Sequence, residues 1–221
     1  MKKILCLWLL SVVVLQLAAQ NPAVYPFADE ISHFKQYDDT HPPVKGQILF
    51  VGSSSFRKWT NVQNAFPDYP IINRGFGGST LPDVIHYAND IIFPYDAKQI
   101  VIYCGENDIA SSDTITAEMV AARYKELFQL IRSHQKKVVI DFVSIKPSPS
   151  RAHFRPVVEK ANLLIQAFIS KQKNARFINI YTAMLHADGS MRKELFVEDN
   201  LHMNSEGYAI WQRIIQPYLL K

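Results

Sequence analysis

Apolar and polar positions along the chain fall into two alternating rhythms. Short runs dominated by apolar, often β-branched residues occupy 47–51, 70–73, 98–104, 137–143 and 176–180. Each ends in glycine, asparagine, serine or another turn former, the pattern of strands buried in a sheet. Between them the apolar residues recur at three and four. In 116–134 they are Val120, Tyr124, Leu127, Phe128 and Ile131, one stripe on a helix. Val157, Ala161, Leu164, Ile165, Phe168 and Ile169 mark a second helix, and 81–92 a third with Pro82 in its first turn. A closing helix over 205–219 is expected to bury Tyr208, Trp211, Ile214 and Ile215. Phe27, Ile31, Phe34 and Tyr37 suggest a short amphipathic lead-in helix before Pro42-Pro43. Five strands alternating with helices predict an α/β fold: a central parallel sheet with helices on both faces, since crossovers are right-handed.

The first twenty residues read differently. Lys2 and Lys3 precede a nearly all-apolar stretch from Ile4 to Leu17, followed by Ala18 and Ala19. That is the layout of a cleavable secretory signal peptide, with the cut expected near Ala19 or Gln20. The apolar run is short for a membrane anchor. Residues 1–20 are therefore expected to be signal, 21–46 a lead-in packed on the domain, and 47–221 one domain. Export to the periplasm or the exterior follows. Losing Lys2 and Lys3 lowers the formal net charge from +4 to +2, which is no polyanion-binding signature and argues against nucleic acid as a partner. Of the two cysteines, Cys6 leaves with the signal and Cys104 remains. An internal disulfide is then excluded, and Cys104 reads as a small buried thiol.

Candidate chemistry sits where strands end. The first strand runs into Gly52-Ser53-Ser54-Ser55, a tight turn offering hydroxyls at the carboxyl edge of the sheet. After the second come Gly75, Gly77 and Gly78, which let backbone amides approach a ligand. After the third, Asn107 offers a neutral amide donor of the kind a developing oxyanion needs. Near the C-terminus Asp199 and His202 lie three apart, within reach for the carboxylate to hold one imidazole nitrogen and leave the other facing a hydroxyl. Each clue has a plainer reading: polar loop, turn glycines, Asn107-Asp108 as a helix cap, a surface Asp–His pair. The histidines show no metal-ligand spacing, and the glycines no Gly-x-Gly-x-x-Gly spacing, so neither a metal nor a cofactor is expected.

Taken together, the order and spacing of these segments resemble the SGNH (GDSL-type) serine hydrolases at four blocks. Gly52-Ser53-Ser54-Ser55 resembles the Gly-Asp-Ser-Leu block, Asn73 to Ser79 the glycine block, Gly105-Glu106-Asn107-Asp108 the Gly-x-Asn-Asp block, and Asp199-Asn200-Leu201-His202 the Asp-x-x-His block. The resemblance spans about residues 47–217. It implies a three-layer α/β/α, flavodoxin-like fold with a five-stranded parallel sheet. It also implies a Ser54 nucleophile, His202 as base, Asp199 orienting it, and an oxyanion hole of the Ser54 amide, the Gly78 amide and the Asn107 side chain. Ser53 departs from the family's aspartate and Ser55 from its leucine. Three neighbouring hydroxyls compete for the role, and Ser54 is preferred by its distance from Gly52.

The expected function is hydrolysis of short-acyl esters, acetyl first, plausible on carbohydrates, through an acyl-enzyme. The alternatives are a lysophospholipase or thioesterase acting on lipid, and a non-catalytic carbohydrate-binding domain of the same fold. The expected partner is a small ester substrate, with no stable membrane insertion once the signal is gone; the sequence leaves oligomeric state open.

Overall fold

The computed structural model describes residues 25–221; the expected signal peptide and its cleavage point lie outside the described residues. Five parallel strands form one sheet: β1 (Ile48–Gly52), β2 (Ile71–Gly75), β3 (Gln99–Tyr103), β4 (Val139–Val143) and β5 (Ala175–Ile178). Their spatial order is β2-β1-β3-β4-β5, the flavodoxin-like order. Its direction reverses between β1 and β3, where the crevice at the carboxyl ends opens. Register aligns those ends: Gly52 lies beside Gly75 on one side and Tyr103 on the other.

Alternate strand residues feed opposite faces because successive side chains point to opposite sides of a pleated strand. Leu49, Val51, Ile100, Ile102, Ile140 and Phe142 enter one core. It is covered by α1 (Ala28–Thr40), α4 (Leu81–His86), α5 (Ala88–Ile91), α7 (Ala117–His134) and α8 (Arg155–Ile169). Ile48, Phe50, Val101, Tyr103, Val143 and Ile178 enter the other. There they meet α2 (Ser54–Arg57), α3 (Val62–Ala65) and α9 (Ser205–Ile215). A short α6 (Glu106–Ala110) follows β3. Burying each large apolar side chain contributes roughly 1.5–3 kcal/mol, and among the described residues, where Cys104 is free, this two-faced core holds the sheet. Among the described residues, no helix is long and apolar enough to cross a membrane.

Several expectations are corrected. The helix expected over 81–92 is two, because the chain leaves helical geometry at Tyr87, whose hydroxyl donates to the carbonyl of Pro26 (2.9 Å). That break lets Asp90 pair with Lys35 of α1. The closing helix stops at Ile215 and tightens into a 3-10 turn over Gln216–Tyr218, since Pro217 has no N–H to donate. Tyr208 and Ile214 are half-buried. In the loop after β4, Lys146 and Ser148 are buried. The fourth strand, read as almost all apolar, buries Asp141 completely, held by Arg176 and Gln99.

Candidate active site

The site begins with Gly52. Its φ of +136° is one that residues with a Cβ rarely adopt, and a Cβ there would run into the Tyr103 carbonyl on β3. Only glycine lets β1 turn while pressed against its neighbour. The chain stays extended at Ser53, whose N–H donates to that same carbonyl (3.0 Å), and α2 starts at Ser54. The first amides of a helix have no partner inside it, so the Ser54 N–H is left without one in α2. The Oγ of Ser54 lies 3.1 Å from Nε2 of His202.

His202 is set by its own turn. Asp199 Oδ2 meets Nδ1 at 2.5 Å, while Oδ1 accepts the backbone N–H groups of Leu201 and His202, each at 2.8 Å. Asn200 takes a left-handed φ of +53° to allow this. Burial pushes the Asp199 carboxyl up, but the His202 ring and the two amides outweigh it and leave it lowered to about 2. The carboxylate therefore fixes the ring with Nε2 toward the hydroxyl. The Tyr208 hydroxyl on α9, the helix that follows the histidine's turn, donates to the carbonyl of Ser55 (2.9 Å) and ties that helix to α2.

Ser79 joins the other two blocks. Its hydroxyl donates to the Gly52 carbonyl (3.2 Å), and its own carbonyl accepts from Asn107 Nδ2 (3.1 Å) and Cys104 Sγ (3.4 Å). Gly78 is exposed at this point, and a Cβ built on it would stand 3.7 Å from Asn107 Nδ2. The two oxyanion candidates thus adjoin. Asn107 and Asp108 do not cap the helix that follows, as one reading allowed. They lie inside α6, and Thr116 caps α7. Asp108 instead accepts the N–H of Leu81 (2.9 Å) at the start of α4 and pairs with Arg123. Cys104 is fully buried, and burial pushes its thiol up, far from a nucleophile's range.

Residues that sequence reasoning passed over surround this core. Glu30 on α1 accepts the N–H of Gly77 (3.1 Å) and pairs with Arg57 (2.7 Å), so the lead-in helix braces the glycine turn. Behind Asn107, the Glu106 carboxylate bonds the Tyr103 hydroxyl (2.8 Å) and the buried Lys146. Burial raises the Glu106 carboxyl, yet the Lys146 and Arg151 cations outweigh it and hold it lowered. The available signal was the unusual placement of Glu106 and Lys146 directly after buried strands. Arg151 had none.

Among the described residues no three His, Cys, Asp or Glu side chains gather as metal ligands, and Asp199 and His202 are engaged with each other. What converges is a hydroxyl, an imidazole and neutral N–H donors, a set suited to acyl transfer.

A sequence profile of the GDSL-like Lipase/Acylhydrolase family matches residues 36–210. No curated protein matches the sequence. Among solved structures, a Streptococcus pneumoniae protein provisionally described as a platelet activating factor superposes with a TM-score of 0.74 at 20% identity, covering 87% of this chain and 92% of its own. A GDSL-like lipase from Bacteroides thetaiotaomicron gives 0.69 at 20% identity, covering 85% and 97%. A family 3 carbohydrate esterase from Clostridium thermocellum gives 0.57 at 14% identity, covering 79% and 97%.

Proposed function

The chain belongs to the GDSL-like lipase/acylhydrolase family and is a carboxylic ester hydrolase, and from that premise we propose that it removes short acyl groups, acetyl first, from carbohydrate esters through an acyl-enzyme on Ser54. The observation that carries this reading is the relay from Asp199 through His202 to Ser54 Oγ, with contacts of 2.5 and 3.1 Å. Nε2 takes the hydroxyl proton as Oγ attacks the ester carbonyl. Asp199 holds the ring and stabilises its charged form. The amides of Ser54 and Gly78 and Asn107 Nδ2 accept the charge that develops on the carbonyl oxygen. The proton on Nε2 then passes to the leaving alcohol, and water repeats the sequence to free the acid.

Short acyl groups are supported by the segments that carry the candidate residues or touch them: Gly75 to Thr80, Glu106 to Ser111, Ser148 to Arg151 and Asp199 to His202 are brief and largely polar. A carbohydrate alcohol suits such a polar rim, and a carbohydrate esterase shares the fold. Export, supported by the basic start and apolar run of residues 1–20, would bring the enzyme to such substrates.

Two measurements test the proposal. A fluorophosphonate probe should label wild type and not Ser54→Ala, which should lose hydrolysis of p-nitrophenyl acetate while keeping its circular dichroism. Labelling at Ser53 or Ser55 would overturn the nucleophile. Acetyl, butyryl and octanoyl esters of one chromophore should fall in kcat/KM in that order; a rise toward octanoyl would point to a lipid acylhydrolase.

A further inference from the structure

The Asn107 carboxamide has a donor end and an acceptor end, and its use as an oxyanion donor depends on which faces the crevice. Arg151 and the Ser79 carbonyl fix that from opposite ends. A guanidinium only donates, so the Asn107 atom 2.9 Å from Arg151 Nη2 is the oxygen Oδ1. Nδ2 is thereby turned toward Ser79 and Gly78. Hydrogen bonds to a charged donor are stronger than neutral ones, and they polarise the next bond along. The cation pulling on Oδ1 therefore makes the N–H groups of Nδ2 better donors.

Arg151 is itself held. Its side chain is 20% exposed, and Nη1 stands 3.7 Å from Glu106 Oε1. Glu106 is in turn locked by Tyr103 and Lys146. The residue before it, Ser150, donates its N–H to the Asn200 carbonyl (3.0 Å), inside the turn that carries Asp199 and His202. One short segment thus touches both the oxyanion side and the base side of the site.

We propose that Arg151 is a positioning residue for ester hydrolysis, holding and polarising the Asn107 carboxamide so that Nδ2 meets the developing oxyanion. The proposal rests on the reading of Asn107 as an oxyanion donor. It predicts an effect carried through Asn107 and realised in the transition state, not in substrate binding.

The test is a double-mutant cycle on p-nitrophenyl acetate with the full chain, using Arg151→Met, Asn107→Ala and the pair. Arg151→Met should lower kcat about tenfold with KM within about twofold. In the Asn107→Ala background it should have almost no further effect. Equal loss in both backgrounds, or a raised KM at unchanged kcat, overturns the proposal; the latter would make Arg151 a substrate anchor. If Asn107→Ala leaves kcat unchanged, the oxyanion reading itself fails, a result distinct from either. Should Arg151→Met not fold, Arg151→Lys enters the same cycle. It keeps a cation near Glu106 but lacks the fork that reaches Asn107.

Discussion

Asp199 meets His202 at two points, the ring Nδ1 at 2.5 Å and the backbone N–H at 2.8 Å, so the carboxylate and the imidazole are held in one turn. Because Asp199 is lowered to about 2, it stays ionised across the range in which a hydrolase works. The stability its charge contributes is complete above the ordinary aspartate value of about 3.9 and is lost only as pH falls through about 2.

The Asp199 carboxylate should therefore contribute no limb to the pH–rate profile in that range. Asp199→Asn keeps the shape and removes the charge that selects the tautomer, and should lower kcat by up to about four decades. Steady-state kinetics of the variant on an acetyl ester decide it; an unchanged kcat would count against the Asp199–His202 pair.

Asn107→Ala should cost roughly 2.7–4 kcal/mol of barrier, about two to three decades in kcat, with little change in KM. Steady-state kinetics on an acetyl ester measure both. The side chain is a partner of Ser79 and Arg151, so a melting curve should accompany the assay to separate lost catalysis from lost structure.

Gly52→Ala is expected to damage the fold before the chemistry. The substitution combines a φ of +136° with a collision against the Tyr103 carbonyl, two costs of about 1–3 kcal/mol each. Soluble protein with an unchanged Tm would show that β1 and β3 can part at this point.

Asp38→Ala tests how the lead-in helix is held. Asp38 pairs with Arg74, which is buried on β2, and accepts from the Tyr95 hydroxyl (2.6 Å). Burial, helped by that hydrogen bond and opposed by Arg74, has Tyr95 pushed up to about 12. Removing the carboxylate leaves the buried guanidinium without its anion, with only the Tyr95 hydroxyl and the Asn73 carbonyl to accept from it, a loss of about 3 kcal/mol, or roughly 6–12 °C in Tm for a domain of this size. Thermal denaturation of the variant decides it.

Local chemistry was enough to locate the five strands, because alternation and turn residues are properties of neighbours in sequence. It also marked Gly52, Gly78 and Asn107 as places where polar groups follow buried strands, and the Asp199–His202 pair ahead of the last helix. It blurred the ends. The break at Tyr87 answers to a contact with Pro26, and Pro217 shortened a helix whose apolar rhythm continued.

What packing alone decided is who meets whom. Ser54 and His202 are 148 positions apart and come within a hydrogen bond because a parallel sheet delivers its strand ends to one edge. The partners of the charged groups could not be read from the chain: Glu30 under the glycine turn, Lys146 against Glu106, Arg151 on Asn107. A charge chooses its partner by distance and by the water it loses, and neither quantity exists until the layers have closed.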